Sequence, residues 1–236
     1  MPAKPRRHER GLTIASSGRT IPRTAPTKKR RSSVPGDVDL DASPTLTKQA
    51  GDLVALAARI GACAACDRAS PDRAVGTGYP QAPIFLVGER PTAADLEAGG
   101  AFAAEGEALD KAFDALGIPL SWIYGGTSVR CGSGPATPEQ IEACSIHLLI
   151  EIEAVEPSVV VAFGPRATDA VRALDGRCGF VVPDELPQGE PMRLRPGLQF
   201  IATEPLPEGV TNRDSKRRLW RDLQRVPALL EAEGRR

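Results

Sequence analysis

The run "PSVVVAFG" at residues 157–164 constrains the fold more than any other stretch: five apolar residues in succession, bounded by Pro157 and Gly164. A segment with no polar side chain to turn toward water reads as a strand buried on both faces, and such strands belong to parallel sheets covered by helices. "APIFLVGERP" repeats the pattern, and "SWIYGGTSV" and "FVVPDELPQGEPMRLRPGLQFIATEPLP" add strand-like runs. Helical periodicity fills the intervals in "LTKQAGDLVALAARIGA", ending near Gly61, in "EGEALDKAFDALG" and in "PRATDAVRALDG". A long helix opens at Thr137, with Pro138 first and Glu139 and Gln140 in its first turn, and a terminal helix is expected from about Ser215 to Glu233. Strands alternating with helices predict an α/β fold: a single three-layer domain over residues 46–236, with a central, mainly parallel sheet flanked by helices. Ligands in such sheets bind beyond the carboxyl ends of the strands. Three loops are therefore the expected site: "GERPTAADLEAGGAF", "GGTSVRCGSG" and "ATEPLPEGV".

The N-terminal segment has another character. Residues 1–36 hold ten Lys and Arg against Glu9 alone, whereas the rest of the chain has 20 basic and 29 acidic residues. A basic, Pro/Ser/Thr-rich segment cannot bury enough apolar surface to fold, so residues 1–45 are expected to be a disordered arm. It serves either as a solubility tail or as a strap that gathers DNA phosphates and releases counterions. No stretch approaches the roughly 20 apolar residues of a membrane span. The charged N-terminus also lacks the apolar core of a secretory signal. A soluble, cytoplasmic protein with no membrane partner is the expectation.

Five cysteines in 236 residues are too few for a disulfide scaffold. Cys63 and Cys66 form a C-x-x-C pair that follows a helix and enters a loop, the reverse of the strand-to-helix setting of a thioredoxin-like redox pair. Cys131 and Cys144 stand thirteen residues apart, one in a loop and one on the long helix. Four thiolates so arranged can close around one tetrahedral zinc or one cubane cluster, and sulfur softness does not choose between them. Cys178 is left over as a core residue.

Taken in order, "CAACDRA", "GTGYPQAPIFLVGERP", "GGAFAAEGEALDKAFDALGI", "IYGGTSVRC", "TPEQIEAC", "EPSVVVAFGPRATDAV" and "FIATEPLP…LWRDLQRV" resemble the uracil-DNA glycosylase superfamily. The resemblance is to family 4, its iron-sulfur branch, over roughly residues 50–230. It implies hydrolysis of the N-glycosidic bond of uracil or a related damaged base during base excision repair. DNA is the implied partner, with the basic arm available to other repair or replication proteins. A monomer associated with the nucleoid is expected. The resemblance also implies a structural 4Fe-4S cluster on Cys63, Cys66, Cys131 and Cys144, with zinc as the alternative.

Site residues follow by position. Gly88-Glu89-Arg90-Pro91 resembles the family's Gly-Glu-Ala-Pro-Gly loop, which implies that Glu89 orients water or stabilises the cationic sugar. Phe102 in "GGAF" stands where the family stacks a ring on the flipped base. Arg90 and Thr92 stand where the family's loop carries small residues, and two further departures are visible. Gly126-Thr127 replaces the family's Thr-Asn, and Thr127 cannot make the two-point contact of an amide. "ATEP" replaces Thr-Tyr-His-Pro, putting Glu204 where a histidine would donate to the leaving base, so Glu204 could substitute only if burial kept it protonated. Arg213 and Lys216 are expected to touch phosphates, and His147 to pack inside its helix. A catalytically silent relative that binds DNA or a repair partner, or a zinc-stabilised nucleotide-binding module, remains open.

Overall fold

The computed structural model describes residues 44–206 and 212–235. All but the last two positions of the expected arm lie outside the described residues. Pro44 and Thr45 already belong to the first helix, α1 (Pro44–Ala62).

Six strands form one sheet, in chain order β1 (Thr77–Gly78), β2 (Ile84–Gly88), β3 (Ile123–Thr127), β4 (Val159–Phe163), β5 (Met192–Arg195) and β6 (Leu198–Thr203). Across the sheet the order is β1-β3-β2-β4-β6-β5. The inner four are parallel, and the short edge strands β1 and β5 run antiparallel to their neighbours. Every residue of β2, β4 and β6 is buried. The alternation of side chains along a strand sends them to two different cores. Phe85, Val87, Val160, Ala162 and Phe200 meet α4 (Pro138–Val155) and α5 (Pro165–Arg172) on one face. Ile84, Leu86, Val159, Val161 and Ile201 meet α3 (Gly106–Ala115), α6 (Arg213–Leu223) and α7 (Val226–Ala232) on the other. The continuous apolar runs are thus the signature of two covered faces, each fully buried Val or Ile contributing about 1.5–3 kcal/mol. No helix among the described residues is long and apolar enough to cross a membrane.

The long helix starts where its sequence said it would. Thr137 accepts the Gln140 amide, Gln140 reaches back to the Thr137 amide, and Pro138 takes the first turn. Three expectations need correction. Cys178 is exposed, at φ 45°, and is not a core residue. The first loop contains a short helix, α2 (Ala93–Ala98), set by a reciprocal Thr92–Asp95 cap at one end and left-handed Gly99 at the other. The terminal segment is two helices, because Pro227 has no N–H to continue the ladder and its ring crowds the preceding turn. Chain direction puts the ends of β2, β3, β4 and β6 on one edge of the sheet, where Gly88, Thr127, Gly164 and Glu204 meet.

Candidate active site and cysteine pocket

Glu89 leaves β2 at this edge. The Ser128 amide donates to the Gly88 carbonyl at 2.8 Å, and the Ser128 hydroxyl donates to the Glu89 carbonyl, so the ends of β2 and β3 are bolted together. The Glu89 carboxylate accepts the Arg166 amide at 3.0 Å, in the first turn of α5. A carboxylate at a helix N-terminus satisfies an otherwise unpaired N–H and meets the positive end of the helix dipole. Gly164 makes room for it: at φ 91°, a Cβ there would lie 2.6 Å from Glu89 Oε1.

Phe102 shares a small pocket with Gly88, Glu89, Thr127, Phe163 and Leu206. Its ring lies against bare backbone, since a Cβ on Gly125 would approach it to 2.5 Å and one on Gly88 to 3.2 Å. Phe163 meets the ring edge-on at 6.1 Å. Phe102 itself sits at φ 63°, a costly conformation for an aromatic residue and one that surrounding contacts must enforce. The enforcing group is Asp95, buried and easily passed over in sequence. Its carboxylate accepts the Thr92 amide at 2.8 Å and the Ala103 amide at 2.6 Å, closing the turn that carries Phe102. The signal was Thr-x-x-Asp, a reciprocal cap. Glu105 also lines the pocket, and burial, then the neighbouring Asp95, pushes its carboxyl above the ordinary range.

The two departures from the family pattern acquire physical form here. Thr127 is buried and donates its hydroxyl proton to the Val129 carbonyl at 2.7 Å. Its methyl, not its hydroxyl, abuts the Gly88 side of the pocket. Glu204 is no protonated donor. Arg218 binds it through Nε at 2.6 Å and Nη2 at 3.3 Å, and the Gln188 amide donates at 2.5 Å. The Arg218 hydrogen bond is the main cause that holds the Glu204 carboxyl down at about 2. The condition under which Glu204 could stand in for the family's histidine, a carboxyl kept protonated by burial, is not met, because a bidentate guanidinium outweighs desolvation. Arg218 is therefore the cation paired with Glu204, while Arg90 lines the Phe102 pocket itself. Among the described residues Arg218 Nη1 has no hydrogen-bond partner. Arg213 and Lys216 are exposed in the first turn of α6, with Asn212 as cap. Residues 207–211, the rest of that loop, lie outside the described residues.

A second pocket forms on the α1–α4 side. Cys63, Cys66, Cys131 and Cys144 all line it, together with Arg130 and His147, and all four thiols are free. Arginines fasten the loops around it: Arg68 donates to the Cys131, Gly132, Gly134 and Pro135 carbonyls, and Arg73 to those of Ile60, Cys63 and Ser70. Burial pushes the Cys144 thiol up to about 11, although Arg130 pulls in the opposite direction, so a thiolate there calls for a compensating cation. Among the described residues, no three His, Cys, Asp or Glu side chains are gathered closely enough to hold a single metal ion. The four thiols line one pocket.

His147 is buried on α4, as expected. It lines this pocket one helical turn beyond Cys144, and burial together with Arg130, Arg59 and Arg73 lowers it to about 4, leaving a neutral imidazole. Buried side-chain atoms without a partner, among the described residues, are Gln49 Oε1, Arg130 Nε and Nη1, and His147 Nδ1 and Nε2. All but the first belong to residues of the cysteine pocket. Four soft thiols beside unsatisfied donors fit an anionic, sulfur-rich group.

Curated relatives are type-4 uracil-DNA glycosylases. The chain is 32% identical over 106 residues to that of Pyrobaculum aerophilum and 29% identical over 108 residues to that of Archaeoglobus fulgidus, in each case 43% of this chain and 54% of the relative. It is 28% identical over 166 residues to that of Thermotoga maritima, covering 68% of this chain and 84% of the relative. The chain thus spans about half the length of the first two. The family model of the uracil DNA glycosylase superfamily matches residues 75–224, which include the Glu89–Phe102 pocket, Cys131 and Cys144 but not Cys63 and Cys66. Because that match runs through all four inner strands and both walls of the pocket at their ends, the chain belongs to the uracil DNA glycosylase superfamily.

Proposed function

We propose that this protein is a DNA N-glycosylase that hydrolyses the bond between deoxyribose and uracil or a related damaged base. The observation that carries the reading is a single pocket in which an anchored carboxylate, Glu89, and an aromatic ring on a glycine ledge, Phe102, lie at the ligand edge of the sheet. A base rotated out of the duplex stacks on Phe102. Glu89, aimed by the Arg166 amide, orients water and stabilises the positive charge that grows on the sugar. The departing base carries negative charge, which an ionised Glu204 would repel; Arg90, which lines the pocket, and Arg218, paired with Glu204, are cations that could offset it. Thr127, its hydroxyl proton already donated to Val129, offers no two-point reading of a pyrimidine edge, so discrimination rests on pocket shape. Exposed Arg213 and Lys216 position the DNA backbone.

Cys63, Cys66, Cys131 and Cys144 would hold a 4Fe-4S cluster, with a structural role of tying the end of α1, the loop after β3 and α4 together. A polynuclear cluster takes one thiolate per iron and spreads its ligands, whereas one zinc needs all four sulfurs about 2.3 Å from a single centre. The unpaired Arg130 and His147 nitrogens beside the thiols support the former, since an anionic, sulfur-rich group accepts hydrogen bonds.

The test is excision from single- and double-stranded oligonucleotides containing uracil, hypoxanthine, xanthine or oxidised pyrimidines, scored as abasic sites, with Glu89→Ala as control. Metal analysis of the same preparation distinguishes iron and sulfide from zinc. Excision that vanishes in the control supports the proposal. The ionised Glu204 and the occupied Thr127 hydroxyl favour one competing reading, a silent DNA-binding relative. DNA binding without excision of any of these bases would establish it.

A further inference from the structure

We propose that Arg130 and His147 donate hydrogen bonds to the sulfur atoms of the 4Fe-4S cluster, Arg130 being clamped for this purpose by Glu151, and that these donors set the cluster's reduction potential. The inference rests on the cluster reading above and goes beyond it.

Arg130 and Glu151 are the most deeply buried ion pair among the described residues, each side chain 1% exposed. One guanidinium nitrogen, Nη2, donates to Glu151 Oε2, while Nε and Nη1 find nothing. A buried cation that leaves donors unused is costly, and native structures rarely keep one without a ligand to complete it. Glu151 is held in its turn by the Gly76 amide at 3.1 Å. Gly126 is bare because a Cβ there would lie 2.6 Å from Glu151 Oε2 and 2.9 Å from Arg130 Nη1. The pair is therefore built into the sheet from below, with Nη1 close to Gly126, and Arg130 also lines the cysteine pocket.

His147 completes the arrangement from α4. Three residues after Cys144, it shares that ligand's face of the helix. Its imidazole is 4% exposed, and neither nitrogen has a partner. A neutral imidazole has one N–H to give, and His147 lines the cysteine pocket. A cluster held by four thiolates is anionic overall and its sulfurs accept hydrogen bonds. Such donors and a nearby cation stabilise the more reduced, more negative level and raise the potential. The assignment gives one receiver to the otherwise unpaired donors of two buried residues that line the same pocket.

The experiment compares cluster-loaded wild type with the double variant Arg130→Met/Glu151→Gln and with His147→Leu. Pairing the first two changes avoids stranding a buried carboxylate. Iron and sulfide content is measured first, then reduction potential by protein-film voltammetry and the rate of bleaching in air. Both loaded variants are expected at more negative potential than wild type, with faster bleaching and the larger effect in the double variant. Wild-type potential and bleaching in both would overturn the proposal while leaving the cluster reading intact. Wild type that binds no iron would overturn the cluster reading itself, and this proposal with it. His147→Leu leaves the Arg130–Glu151 pair in place, so the potential can be read even if the double variant fails to fold.

Discussion

Replacing Glu204 by Gln removes the charge that holds Arg218 and leaves the side-chain volume almost unchanged. A carboxyl lowered from its ordinary 4.5 to about 2 corresponds, at about 1.36 kcal/mol per pH unit, to roughly 3 kcal/mol of native-state stabilisation. The Arg218 side chain is 46% exposed, so solvent screening reduces this to about 1–2 kcal/mol. The direction with pH follows from the lowered folded-state value. The contribution is complete above the unfolded carboxylate range, near 4.5, and disappears as pH falls through about 2. Urea unfolding followed by circular dichroism should therefore find Glu204→Gln less stable than wild type by about 1–2 kcal/mol at pH 7. The gap should narrow steadily below pH 4.5. A double-mutant cycle with Arg218→Met should return a coupling of similar size. A Gln variant as stable as wild type at pH 7, or a gap that ignores pH, would refute the ion pair and restore the protonated donor.

Three further outcomes follow from the pocket. Gly125→Ala places a methyl 2.5 Å from the Phe102 ring; overpacking of this kind costs about 1–3 kcal/mol, and single-turnover excision should drop about tenfold or more, while DNA binding keeps its salt dependence. Glu89→Gln retains an oxygen for the Arg166 amide, so its melting temperature should stay near wild type, while abasic-site formation falls by about 10²–10⁴. Thr127→Asn should cost about 1 kcal/mol for the lost bond to Val129, and competition between uracil and hypoxanthine substrates should move toward uracil.

Much of the architecture was legible because it depends on local pattern. "PSVVVAFG" and "APIFLVGERP" read as strands covered on both faces, and Thr137 with Gln140 marks its helix start through contacts three residues apart. The four cysteines and the Glu89 and Phe102 loops were found by order along the chain, and the structure brings each group to one pocket. The short helix α2 was passed over because six residues carry little periodicity. Pro227 broke the terminal helix even though the apolar stripe of "LWRDLQRV" ran up to it.

Charge states and partners were decided elsewhere. The sequence by itself determined a doubly covered parallel sheet, the edge at which its chemistry gathers, and the identity of four thiols suited to a common group. It could not reveal that Glu204 is ionised, because that depends on Arg218, which reaches back from α6 across a loop. Nor could it reveal that Arg130 is clamped by Glu151, 21 positions away, or that His147 borders the thiols. A hydrophobic run announces its burial through its own composition, but a titratable side chain takes its state from whichever groups the fold carries to within hydrogen-bonding distance, and only the tertiary structure chooses them.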